Sequence, residues 1–233
     1  MNQQLIQQIS IMALPLIFAV TLHEAAHAWV ADKKGDATAR MLGRITLNPI
    51  AHIDPFGTVL IPLMMFMMTG FIFGYAKPVP VNPNNLRRPK KDMAWVAAAG
   101  PGMNLFLAMI SGILYRMILM VDPTLLFRGS LFPSTGGFTS FFLYPLLEMC
   151  RFSVIINVVL MVFNLIPVPP LDGGRVLVGI LPERQSLLVR RVEPYGMLLI
   201  VFLVFLDPFG LMRNLVWPLV SIVSGYIFGQ RII

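Results

Sequence analysis

Residues 19–30 read AVTLHEAAHAWV: two histidines and a glutamate inside a segment that is otherwise almost wholly apolar. An ionisable group in a membrane-length helix costs several kcal/mol unless it has a partner. Three such groups within five residues therefore mark a functional centre. On a helix, His23 and His27 lie one turn apart on the same face and suit a single zinc ion, with Glu24 angled beside them within reach of a water at the metal. The competing reading has two core histidines satisfied by backbone carbonyls and a glutamate paired elsewhere; the apolar surroundings disfavour it.

The rest of the chain agrees with a membrane setting. Of its 233 residues, 57% are hydrophobic and 12% charged, and the mean hydropathy is +0.76, far from an ordinary soluble domain. Apolar runs at 5–31, 94–120, 152–169 and 196–228 approach or exceed the ~20 residues of a spanning helix. A shorter run covers 57–74. The start, MNQQLIQQIS, has no Lys or Arg ahead of its apolar stretch and no small-residue cleavage site after it, so no cleaved signal peptide is expected. Cys150 is the sole cysteine, which excludes an internal disulfide framework and a thiolate metal cluster. The formal charge of +7 falls in clusters that border apolar runs, as the positive-inside bias of cytoplasmic loops places them. No basic helix or aromatic stacking motif accompanies it, so nucleic acid is not an expected partner.

Lys33, Lys34, Arg40 and Arg44 precede the 57–74 run, and Lys77, Arg87, Arg88, Lys90 and Lys91 follow it. If the run crossed the bilayer, one basic flank would sit on the wrong side, so it is expected to dip in and return or to lie in the interface. Helix one then runs toward the cytoplasm, 94–120 returns, and 152–169 comes in again. Arg175, Arg184, Arg190 and Arg191 join the cytoplasmic face, and loop 121–139 is left outside. Asp207, Pro208 and Gly210 split the last run, predicting two helices that form a hairpin. The expected architecture is an all-α polytopic membrane protein, a bundle of about five to six transmembrane segments with a small membrane-associated β element between the first two core helices. It is one membrane domain over 1–233, with a catalytic core at 1–181 and a C-terminal hairpin at 195–233.

Two stretches carry the expected β element. ARMLGRITLN alternates loosely enough for a short strand. In KPVPVNP, Pro78 and Pro80 blank one side of a strand while Val79 and Val81 keep donors on the other; a polyproline-type linker is the equal alternative.

A catalytic zinc takes three protein ligands and keeps one position open. With charges this scarce, the candidates for a third ligand are His52, Asp54, Glu148 and Asp172. Asp172 is favoured. It sits in FNLIPVPPLDGGRVLVGIL, where Pro167, Pro169 and Pro170 end a helix and Gly173-Gly174 open a tight turn, and a broken helix at membrane depth is tolerated where it lines a polar cavity. Its plain alternative is an N-cap.

HEAAH at 23–27, AAAGPGMN at 97–104 and NLIPVPPLDGGR at 164–175 occur in the order of the three signature segments of the site-2 protease family of intramembrane zinc metalloproteases, which the chain resembles from helix one to about Arg175. No insert is long enough for a PDZ or CBS domain. The resemblance implies one zinc ion held by His23, His27 and Asp172, with Glu24 as general base and acid. It also implies that Asn104 and Asn164 help position the substrate backbone, although hydrogen bonding between helices is an equal alternative for both. Gly100-Pro101-Gly102 loosens the helix or permits close packing. A helical substrate must unwind to be cut, so the strand at KPVPVN, with Val79 and Val81, is a candidate template for β-addition.

His52 reads as a loop histidine bound to an interfacial carbonyl or lipid phosphate. Glu148 and Arg151 read as a helical pair. The implied activity is that of an intramembrane zinc endopeptidase acting on single-span helices, in a prokaryotic cytoplasmic membrane, with its site toward the cytoplasmic side. The rivals are a non-proteolytic metal-binding protein or ion transporter, and a zinc hydrolase for soluble or lipidated peptides.

Overall fold

The structure is a computed structural model that describes residues 3–52, 54–60, 64, 77–127, 139–207 and 210–229. Helices dominate: α1 (Gln3–Lys33), the short α2 (Thr38–Met41), α3 (Pro89–Val121), α4 (Tyr144–Asn164), α5 (Asp172–Ile180), α6 (Glu183–Val192), α7 (Gly196–Phe205) and α8 (Trp217–Phe228). Among the described residues, three helical stretches are long and apolar enough to cross a membrane: Ser10–Lys33, Pro89–Val121 and Phe141–Asn164. The C-terminal run divides, as expected, into α7 and a second helical stretch over 211–228 that includes α8; the expected count of five to six segments also takes in the 57–74 run, most of which lies outside the described residues. The break falls at Asp207, at φ 38°, whose carboxylate accepts from the amides of Met212 and Arg213. Pro55–Leu60 form a helical turn. The rest of the 57–74 run, except residue 64, and most of loop 121–139 lie outside the described residues, and so do the expectations made for them.

α1, α3 and α4 pack on one another, α5 lies along α3, and α8 closes on α3 and α4. Ala108, Leu147, Val154, Val158 and Val220 are fully buried where they meet, while Phe106, Ile113 and Met117 of α3 face outward, as lipid-facing positions do. Lipid tails offer no hydrophobic drive toward helix association, so close packing and interhelical hydrogen bonds hold such a bundle. Ser111 and Ser153 supply one bond, at 2.8 Å. Gly112 is another device: a Cβ there would strike Ile227 of α8. Cys150 is buried in the same core.

The described residues contain no strand, which departs from the expected β element. In ARMLGRITLN the backbone is drawn into local bonds. Asp36 accepts from the amide of Thr38 at 3.1 Å and starts the turn of α2, and the Thr46 hydroxyl accepts from the amide of Asn48 at 3.1 Å; side chains of this kind compete with ladder formation. In KPVPVN the backbone is irregular, and three of its four amide donors are already engaged. Lys77 N bonds His52 O at 2.9 Å, Val79 N bonds Glu24 Oε2 at 3.0 Å and Asn82 N bonds Asp36 Oδ2 at 2.7 Å.

The third spanning helix starts earlier than the apolar run at 152 and ends at Asn164 rather than 169. Pro167 removes an amide and disfavours helix in the residue before it. The chain turns through 165–171 and α5 begins against that turn. A Cβ on Gly173 would strike the carbonyl of Leu165, and one on Gly174 would strike Pro169 N.

Candidate metal centre

α1 places the imidazoles of His23 and His27 edge to face, with centroids 4.7 Å apart. Their Nε2 atoms are 3.1 Å apart. Oδ2 of Asp172 lies 3.2 Å from the first and 3.3 Å from the second. Zinc–ligand bonds of ~2.0–2.1 Å at tetrahedral angles imply ligand atoms roughly 3.3–3.4 Å apart. The three atoms are set at nearly that spacing.

Protonation makes the fit specific. Nδ1 of His27 faces the carbonyl of Val96 at 2.6 Å, and Nδ1 of His23 faces Oδ1 of Asn104 at 2.5 Å. Both partners are acceptors, so each ring carries its proton on Nδ1 and turns a bare lone pair on Nε2 inward. Asp172 adds a third lone-pair donor, and its Oδ2 is buried with no donor hydrogen-bonded to it. Three converging lone pairs repel one another; a divalent cation at their centre reverses the sign of the interaction. Among the described residues, these are the His, Cys, Asp or Glu side chains that gather closely enough to hold an ion.

Two features of the fold permit the arrangement. Asp172 is the first residue of α5, while Leu171 occupies the extended capping position, and no side-chain cap bond forms. The carboxylate is therefore not an N-cap; it points at the imidazoles. Gly100 of α3 passes directly over them, and a Cβ there would strike His27 Nε2 and His23 Cε1. Close packing, rather than loosening of the helix, is what this glycine provides.

Glu24 is half-buried beside the triad, and the amide of Val79 donates to its Oε2. Val79 itself is buried against Ala28 and Ala39, with Val81 packed at the edge of that cluster. Asn104 is completely buried behind His23. Its Nδ2 donates to Asn157 Oδ1 at 2.8 Å and to Ala19 O at 3.3 Å, so the whole amide serves contacts between helices. Asn164 is half-buried, and its Nδ2 donates to Leu160 O one turn back at 3.0 Å.

The other three candidates for a third ligand stand apart. His52 is buried with Nε2 at 3.2 Å from Thr46 O, the loop-carbonyl role expected. Asp54 accepts from the amides of Phe56 and Gly57. Glu148 pairs with Arg151 at 3.5 Å.

The sequence reading missed Val96 O and Asn157, and it gave the Val79 amide to the substrate, whereas that amide donates to Glu24. Val96 O is a backbone group without a side-chain signal. Asn157 carried one, as an amide deep in an apolar run, but its partner becomes visible only when α3 and α4 meet. A groove of about 440 Å³ runs beside the centre, lined by Leu22, Ala25, Ala26 and Trp29 of α1, Ile45 and Leu47 of the following loop, and Ala99 and Met103 of α3. Several of these are chain neighbours of the residues at the centre.

Comparison with known proteins agrees with this chemistry. Residues 11–206 match the family model described as Peptidase family M50. The chain is 38% identical over 211 residues to YwhC of Bacillus subtilis (strain 168), a proposed zinc metalloprotease, covering 90% of this chain and 85% of that one. It is 28% identical over 188 residues to Rip2 of Mycolicibacterium smegmatis, also a proposed zinc metalloprotease, covering 80% of this chain and 63% of the relative. The Rip2 protein of Mycobacterium tuberculosis (strain H37Rv) is likewise 28% identical, over 193 residues, with 63% of its length covered. No solved structure matches the chain.

Proposed function

We propose that this chain, which belongs to peptidase family M50 and is a membrane zinc metalloprotease, hydrolyses peptide bonds of single-span transmembrane substrates at the centre made by His23, His27, Asp172 and Glu24. The observation that carries the reading is the convergence of three proton-free ligand atoms, 3.1–3.3 Å apart, beside a carboxylate that is not one of them.

In this reading Nε2 of His23, Nε2 of His27 and the carboxylate of Asp172 hold one zinc ion per chain. Bound there, zinc supplies Lewis acidity to the scissile carbonyl and lowers the pKa of a water toward ~7. Glu24 accepts the water's proton and returns it to the leaving amine. The Val79 amide fixes the carboxylate that does so. Val81, whose amide is in no hydrogen bond among the described residues, and Asn164, whose amide oxygen is likewise unengaged, remain to bind an unwound substrate backbone; the apolar groove accommodates its side chains. Asn104, occupied behind His23, acts on the ligand rather than on the substrate.

The basic residues at the end of α1 and the start of α3 favour a site on the cytoplasmic side of a prokaryotic cytoplasmic membrane. α1 continues to Lys33, so His27 lies six residues, or about 9 Å at ~1.5 Å per residue, from that end.

The test uses purified protein in lipid nanodiscs. Glu24→Gln is expected to keep full zinc and lose at least ~100-fold in cleavage of a transmembrane substrate, the scale of a general base. Zinc at full occupancy in Asp172→Ala would refute the ligand set. A soluble peptide cut as fast as the transmembrane substrate would refute the substrate class. A non-proteolytic metal-binding protein or ion transporter, whose ion flux Glu24→Gln would spare, is disfavoured by the family.

A further inference from the structure

A histidine offers Nε2 to a metal only while its proton stays on Nδ1. For His27 that condition is secured by the Val96 carbonyl, which can only accept. For His23 the facing group is the side-chain amide of Asn104. An amide has two faces. With its oxygen toward His23, the ring is protonated on Nδ1 and Nε2 is free. Turned over, its NH₂ demands the Nδ1 lone pair, moves the proton to Nε2 and removes the ligand atom.

Something must hold the oxygen inward, and the hydrogen bonds show what does. Asn104 Nδ2 donates to Asn157 Oδ1 at 2.8 Å and, less closely, to Ala19 O at 3.3 Å. Asn157 is also an amide, but its own direction is set: Nδ2 donates to the Ser153 carbonyl at 2.8 Å and to the Ser153 hydroxyl at 3.3 Å. A carbonyl accepts and cannot turn over. Polarity therefore runs one way, from the backbone of α4 through Asn157 and Asn104 to the ring of His23, with the more distant Ala19 carbonyl acting in the same sense, in a site where both amides are essentially shut off from solvent.

From this chain we infer that Asn157 is a positioning residue for the metal centre: it fixes the orientation of the Asn104 amide and thereby the tautomer of His23. The inference rests on the proposed role of His23 as a zinc ligand. Loss of the group bonded directly to a ligating histidine, here Asn104, typically costs 10–100-fold in metal affinity, and Asn157 acts through that group.

The experiment measures zinc affinity by chelator competition, and His23 tautomer by ¹⁵N NMR of the metal-free, histidine-labelled protein, on the full chain in nanodiscs. Asn157→Leu is expected to weaken zinc binding at least tenfold and to shift His23 from the Nδ1–H form toward Nε2–H. Asn157→Ala tests the same point with less bulk if leucine prevents folding. In an Asn104→Asp background the same substitutions are expected to cost under threefold, because a carboxylate presents an oxygen to His23 whichever way it is turned. A residue that merely filled space would lower Tm and leave the tautomer alone. An unchanged tautomer in Asn157→Leu and Asn157→Ala, or an equal loss of affinity in both backgrounds, overturns the inference. Wild-type protein that binds no zinc would sink the proposed function instead, and the tautomer of His23 would still decide this one.

Discussion

Gly100 shows how little room the centre allows. Its Cα passes so close to both rings that one added methyl would occupy their place. Gly100→Ala is expected to lower zinc affinity at least tenfold and abolish proteolysis while helical content by circular dichroism stays unchanged; full zinc in this variant would show that α3 can move aside. Val79 is the complementary case. Val79→Pro deletes the amide that donates to Glu24 and exchanges the buried valine side chain for another apolar one, in a segment that already holds Pro78 and Pro80. It is expected to lower kcat about tenfold with zinc content unchanged; an unaltered kcat would remove this amide from the mechanism. At this scale legibility depends on chemistry. His23, Glu24, His27 and Asp172 stood out because charge in an apolar run is costly. Val96 O and Val79 N belong to the backbone, which every residue carries.

Helix ends that turn on proline or glycine were readable, as at Pro167 and around Gly210, because those residues act locally. The short strand expected in ARMLGRITLN did not form, because the outcome there hangs on Asp36, a residue just ahead of it. Asp36 is fully buried, and it joins the end of α1 to the turn at 82–85 by accepting from Thr38, Asn82 and Asn85. Burial alone would raise its pKa, but the bonds from Thr38, Asn85 and Asn82 outweigh it and hold the carboxyl below its ordinary 3.8. A group shifted this way contributes stability that is full above the unfolded value and fades as pH falls through the folded one. Asp36→Asn is therefore expected to lower Tm by a few degrees at pH 7, and the gap to wild type should close as pH drops below 3.8. A gap independent of pH would mean the carboxylate's charge contributes nothing.

Across the whole molecule, the proposed metal would join α1 to α5, elements whose ligands are 149 positions apart in sequence (172 less 23). A ligand bound only by the folded state stabilises it by mass action, by ~2.7 kcal/mol at a hundredfold excess over Kd. Chelation of wild-type protein should therefore lower Tm, and Asp172→Ala should unfold at the same temperature with or without chelator. A drop of equal size in Asp172→Ala would place the stabilising ion elsewhere. A membrane-embedded helical bundle was legible from hydropathy alone, whereas the division of its last apolar run was not. Hydropathy sees 196–228 as one apolar length; the turn residues Asp207, Pro208 and Gly210 mark its division, and the chain does break at Asp207.

The molecule's solitary thiol, Cys150, is sealed among the packed helices. Aqueous maleimides should therefore find nothing to modify in the native protein. Single cysteines introduced at exposed Arg87 and Thr124, near opposite ends of α3, would then report sidedness in sealed vesicles directly, with no native residue to delete beforehand.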